Sequence, residues 1–180
     1  MSSRELGNLL LLVLGGYVGL ALLFPAQAAE VGVLKFDTLP VDDGTPITQG
    51  FTAGVHSAID FGCPFGSALF NVAAGTVVQV HDDIAGDSGR FVIVKGSGIL
   101  SEVAWSYSHL EQIDVKEGQE LTAGDLIGLS GNSGFTCSSG VCAENAAGEL
   151  GAHLHFAVLT LPGFNFTDPT PFLPLNQGGE

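Results

Sequence analysis

The sequence predicts an all-β, mainly antiparallel domain with little helix, and three observations carry that reading. Glycine is abundant, at 26 of 180 residues. Strong helix formers do not cluster. Short runs rich in β-branched and aromatic residues recur between turn residues, which is the signature of strands joined by tight turns.

The elements follow in chain order. An apolar stretch over residues 9–24 is too short for a spanning helix, which needs roughly 20 residues. It leads to Pro25-Ala26-Gln27-Ala28-Ala29, with Ala26 and Ala28 at the small-residue positions of an A-x-A cleavage site. Residues 1–28 are read as a secretory signal peptide, with an uncleaved anchor as the alternative. The remainder is exported in either case (periplasmic, cell-surface or extracellular), with no stable membrane domain once the signal is cut. Residues 29–45 form a short lead-in that ends in the turn Asp42-Asp43-Gly44-Thr45-Pro46. A single domain is expected over residues 46–174, and residues 175–180 are a tail. Within the domain, Ile47 to Phe51 reads as a short alternating strand, followed by strands at Ala68 to Val72, Gly75 to Val80 and Phe91 to Lys95. Asp82 to Arg90 is a turn-rich connection. Gly96-Ser97-Gly98 marks a hairpin turn into a strand running from Glu102 to His109. Short glycine-spaced strands continue from Ile113 to Gly128. Gly131 to Leu150 reads as a long polar loop, a natural substrate rim. The last strand is Ala152 to Thr160. Pro162, Pro169, Pro171 and Pro174 then predict an extended tail without a ladder of its own.

The formal net charge of −14 comes from carboxylates scattered along the chain. That surface favours solubility and excludes nucleic acid, whose binding needs a basic face. Cys137 and Cys142 bracket a Ser-Ser-Gly-Val loop, close enough to pair as a disulfide in an oxidising compartment. Cys63, between Gly62 and Pro64, reads as a buried small hydrophobe rather than a reactive thiol.

Four of the five histidines fall in three motifs: His56-Ser57-Ala58-Ile59-Asp60, Tyr107-Ser108-His109-Leu110 and His153-Leu154-His155-Phe156. Side chains two apart on a strand face the same way, so His153 and His155 share a face while Leu154 turns into the core. A catalytic zinc takes three protein ligands and keeps a fourth position open. These motifs supply three donors and leave two imidazoles for proton chemistry. The fifth histidine, His81, lies next to Asp82 and Asp83 and reads as a solvated turn residue.

In this order, the motifs resemble those of the LytM/lysostaphin-type zinc endopeptidases, which cut peptide cross-bridges of bacterial cell walls. The likeness extends to Ile59-Asp60-Phe61-Gly62-Cys63-Pro64-Phe65-Gly66, to Val72-Ala73-Ala74-Gly75-Thr76-Val77-Val78 and to the run from Val115 to Gly128. It covers residues 46–174. The resemblance implies a compact two-layer, sandwich-type β domain with long loops, with one zinc per chain held by His56, Asp60 and His155. It makes His109 and His153 the catalytic pair beside a zinc-activated water, with the division of labour between them open. It implies a monomer acting on peptidoglycan or another peptide. The alternative on the same scaffold is a non-catalytic zinc-binding module that activates other wall hydrolases. Such modules typically lose ligands, whereas all five positions are kept here. Ala58 and Ala152 depart from the family's usual glycine and proline.

Overall fold

The computed structural model describes residues 34–138, 141–145 and 149–175, together with the backbone of two short strands nearer the N-terminus. The chain divides into two units, residues 1–32 and 33–180. In the first, β1 (Leu12–Leu14) pairs antiparallel with β2 (Tyr17–Gly19). The expected signal cleavage site and residues 176–180 lie outside the described residues. No helix among the described residues is long and apolar enough to cross a membrane.

The second unit is built almost wholly of strands. In order these are β3 (Ile47–Gln49), β4 (Ile59–Phe61), β5 (Ala68–Phe70), β6 (Gly75–His81), β7 (Phe91–Gly96), β8 (Val103–Ser108) and β9 (Leu110–Ile113). They continue with β10 (Glu120–Leu121), β11 (Leu126–Ser130), β12 (Phe135–Ser138), β13 (Val141–Glu144), β14 (Leu154–Thr160) and β15 (Asn165–Thr167). One antiparallel sheet runs β10-β6-β7-β8-β14-β4-β3, with β15 also on β14, and a second runs β5-β11-β9. The two sheets share one core, so the expected all-β, sandwich-type fold is what the chain adopts.

Period-two patterning explains the central strands. In β14, Leu154, Phe156 and Val158 are buried in the core, while His155, Ala157 and Leu159 occupy the other face. In β8, Trp105 and Tyr107 enter the same core and Ser106 and Ser108 turn away from it. Leu69, Leu110 and Ile127 enter the core from the second sheet. Each such buried side chain contributes roughly 1.5–3 kcal/mol of transfer free energy. Burial of the indole is made tolerable by a donor–acceptor match: Trp105 Nε1 donates to Asn71 Oδ1 at 3.1 Å. Asn71 in turn donates to the carbonyls of Ala73 and Thr122. Upstream of the expected domain start, Phe36 packs edge-on against Trp105 and Phe156 and contributes to the core.

Several local expectations are corrected. The tail is not without a ladder: Asn165–Thr167 pairs with β14, because Pro162 and Pro169 flank that segment and leave its own N–H groups free to bond. The expected loop from Gly131 to Leu150 contains the β12–β13 hairpin, in which Cys137 faces Cys142 and is bonded to it. The first strand of the domain is short and exposed at every residue rather than alternating, as an edge strand can be. His81 ends β6, paired with Phe91 and stacked on its ring at 4.9 Å, so it is not a free turn residue. The Gly96 to Gly98 connection runs on into a 3-10 turn, Gly98–Leu100, instead of closing a tight hairpin. Cys63 is buried as expected, and burial pushes its thiol up to about 11.

Candidate active site

The site lies on the face of β14 opposite the core. In the strand register Asp60 of β4 stands directly across from His155, and Ser108 of β8 stands on the other side. Cross-strand neighbours on one face approach closely, and His155 Nδ1 lies 2.9 Å from Asp60 Oδ1. His56 arrives from a tight turn in which Thr52 and His56 exchange backbone hydrogen bonds, both at 2.8 Å. Its Nε2 lies 3.2 Å from the same carboxylate oxygen.

His109 and His153 come from the ends of strands. The strand expected to include His109 stops at Ser108, and His109 adopts φ 64°, a left-handed conformation uncommon for a residue other than glycine. Its backbone N–H donates to the Ser88 carbonyl and Leu110 N–H to that of Arg90, which holds the corner. Such strain clusters at functional sites. His153 precedes β14, with its N–H bonded to Gly131 O at 3.1 Å. The His109 and His153 rings are 4.7 Å apart, and His109 is 5.5 Å from His155. His153 Nε2 is 3.8 Å from Asp60 Oδ1. All five residues singled out in the sequence are therefore within one cluster.

Three backbone carbonyls fix the rings. Nδ1–H of His56 donates to Gly50 O at 2.9 Å, that of His109 to Ser133 O at 2.8 Å, and that of His153 to Gly151 O at 2.7 Å. A carbonyl only accepts, so each ring carries its proton on Nδ1 and, when neutral, has its lone pair on Nε2. Sequence reasoning missed these partners, since a carbonyl leaves no residue-type signal.

The donor set fits a small divalent cation. His56, Asp60 and His155 offer donor atoms all within 4.8 Å of one another, as do His109, His153 and His155. Tetrahedral zinc with bonds of about 2.0–2.2 Å spaces its ligand atoms about 3.3–3.6 Å apart, slightly more than the 3.2 and 2.9 Å at Asp60. A neutral His56 turns the Nε2 lone pair onto a carboxylate oxygen 3.2 Å away. Two acceptors face to face repel, and a cation between them turns the repulsion into binding.

Electrostatics separate the groups. Burial works to raise the Asp60 pKa, but the His155 hydrogen bond and the fields of His153, His155 and His56 outweigh it and hold the carboxyl below its usual value. For His109, burial first and then the fields of His153 and His155 bring the pKa down to about 4, against the opposing Ser133 hydrogen bond and Asp60. His109 is thus a neutral base at neutral pH.

The cluster opens into a cleft of about 550 Å³. It is lined by the bonded hairpin, through Phe135, Thr136 and Cys137, and by Gln49 and Val55. Thr136 Oγ1 is buried with no hydrogen-bond partner, and a Cβ at Gly151 would come within 2.7 Å of it.

A β-sheet domain carrying this His/Asp constellation in an open cleft offers the donor set of a metal site. The chain is a member of peptidase family M23, whose model matches residues 54–166. Lysostaphin of Staphylococcus simulans is 28% identical over 130 residues, covering 71% of this chain and 23% of that protein. Peptidoglycan DD-endopeptidase ShyA of Vibrio cholerae is 27% identical over 135 residues, covering 69% of this chain and 27% of that protein. The crystal structure of a zinc-containing peptidase from Vibrio cholerae superposes with a TM-score of 0.57 at 27% identity, over 74% of this chain and 39% of that one. The chain spans about a quarter of the length of these two curated relatives.

Proposed function

We propose that the protein is an exported zinc metalloendopeptidase that hydrolyses peptide bonds of peptidoglycan cross-links as a monomer. The observation that carries the reading is the convergence of His56 Nε2 and His155 Nδ1 on one oxygen of Asp60, with the His109 and His153 rings packed against them. His56, Asp60 and His155 would hold one zinc ion. When bound, zinc supplies a Lewis acid that polarises the scissile carbonyl and lowers the pKa of water to about 7. The protein's part is proton handling and orientation. His109, neutral and held by Ser133 O, presents an unprotonated Nε2 that can take a proton from the attacking water. His153, held by Gly151 O, is the second imidazole, suited to donate to the developing oxyanion or the leaving amine once protonated. The two roles could be exchanged between them, since both rings use Nδ1 in the same way. The cleft supplies a surface along which an extended peptide can lie.

Peptidoglycan as substrate is supported by the M23 family and by the DD-endopeptidase relative. The apolar segment at residues 9–24, followed by Ala26-Gln27-Ala28, supports export. The test is digestion of purified peptidoglycans differing in cross-bridge chemistry, with and without chelator, with products read by mass. Cleavage within a peptide cross-link, lost with chelator and restored by zinc, is expected. Intact polymer with a zinc-loaded protein would refute the reading and favour a non-catalytic module.

A further inference from the structure

A second recess opens beside the cleft, further along the same face of the main sheet. It has a volume of about 220 Å³. Its floor is made of small side chains, Ser106 and Ser108 of β8 and Ala157 of β14. Its walls are Phe91 and Ile93 of β7 and Phe166 of β15. The register explains the arrangement: Ser108 pairs with His155, Ser106 with Ala157 and also with Ile93, and Phe166 pairs with Leu159. Small residues at Ser106, Ser108 and Ala157 between the large ones on the flanking strands make a trough, which Leu159 of β14 closes at the end away from His155. The unexpected β15 supplies one wall of it.

The recess is continuous with the catalytic cleft, because Ser57, Ser88 and His155 line both. Whatever occupies it therefore sits one step from the reacting carbonyl. Apart from His155, nothing titratable among the described residues lines it, so a charged group entering it would shed water without gaining a partner. Its volume falls below the roughly 300–1,000 Å³ of sites that take a whole small ligand, and suits a single side chain.

Building on the peptidase reading, we propose that this recess is a specificity pocket. It receives the neutral aliphatic side chain, of alanine to leucine size, of a substrate residue flanking the scissile bond. The protein then favours cross-links bearing such a residue over all-glycine bridges and over lysine at that position. One methylene in a hydrophobic pocket discriminates by about tenfold or more in kcat/KM.

The test uses the full chain loaded with zinc and peptides that differ only at the residue flanking the cleaved bond: glycine, alanine, leucine or lysine. Peptides compete in one reaction and the product ratio is read by mass, so the fraction of folded enzyme cancels. Leucine and alanine peptides are expected to outcompete glycine and lysine peptides by at least about tenfold. Ala157→Leu fills the floor and is expected to abolish that preference. Phe166→Ala removes an exposed wall residue and is expected to lower the leucine-to-glycine ratio severalfold. Cleavage with equal rates for glycine and leucine, or a ratio unchanged in both variants, overturns the pocket and leaves the peptidase reading standing. Failure to cut any of the peptides overturns both.

Discussion

Replacing His109 by asparagine is expected to flatten the acid dependence of stability in the metal-free protein. His109 is 6% exposed, and burial, with the neighbouring histidines, brings it from an ordinary 6.5 to about 4. A base whose folded pKa is depressed binds fewer protons folded than unfolded between those two values. Its neutral burial therefore costs nothing above pH 6.5 and becomes a growing penalty as the pH falls towards 4. Integrating the two titrations gives a loss of about 2 kcal/mol between pH 7 and 5, and about 3 kcal/mol by pH 4. Asparagine suits the position, because it tolerates φ 64° better than other non-glycine residues and its amide can still donate to Ser133 O. It does not titrate. The assay is urea unfolding at pH 7, 6, 5 and 4 with chelator present, followed by the fluorescence of Trp105, the single, buried tryptophan. Asp60 and the surface carboxylates titrate in both proteins and largely cancel in the difference. Parallel curves for wild type and His109→Asn would refute the assignment of a buried, neutral His109.

Four further outcomes are expected. His155→Ala loses zinc retention and activity together, measured by metal content after dialysis, because two ligands cannot compete with hydration of the ion. The zinc-loaded His109→Asn protein keeps its metal while turnover falls by about 10²–10⁴-fold, the usual scale of acid–base assistance, read in a peptide-cleavage assay. Replacing Cys137 and Cys142 by serine leaves the melting temperature nearly unchanged and shifts the ratio of two cross-bridge peptides cleaved, because a bond between residues five apart constrains little chain entropy. Gly89→Ala lowers stability by about 2 kcal/mol or more and turnover with it, both measured on the purified variant. Its Cβ would fall 2.3 Å from the Ser133 backbone, whose carbonyl orients His109, and φ is +55°.

The parts of this molecule that were legible in the sequence are those in which residue type and period carry the information. Alternation in Leu154-His155-Phe156-Ala157-Val158 shows on its face which side is core and which is site. The pairing of Cys137 with Cys142 followed from their spacing alone, and the clustering of His56, Asp60, His109, His153 and His155 from motifs that resemble a family. The failures have a common cause in short local pairings, set by the turn between the partners rather than by a long hydrophobic period. Asn165–Thr167 looked like proline-flanked tail because its partner, Val158 to Thr160, imposes the strand from outside. The β12–β13 hairpin alternates apolar and polar residues in Phe135-Thr136-Cys137-Ser138, but over only 4 residues, too few to stand out within a long loop. His81 looked solvated beside two aspartates until the register set it against Phe91.

The same distinction explains how the site is built. Residue types supply the imidazoles and the carboxylate, but Gly50, Ser133 and Gly151 aim three of the rings through their carbonyl oxygens. Each of these carbonyls belongs to a connection between strands rather than to a strand. Each takes Nδ1–H and so leaves Nε2 to the chemistry. The three aiming carbonyls place little demand on side-chain identity, but they make the site sensitive to backbone position. A shift of about 1 Å in any of these loops turns a lone pair away from its target, and misplacement on that scale can cost about 10²-fold in rate. Gly89, Gly131 and Gly151 stand where a Cβ would meet a neighbouring segment within 2.3, 2.6 and 2.7 Å. The glycines around the site therefore serve the geometry of the histidine cluster: they let the loop backbones pack closely enough for the carbonyls to reach the rings.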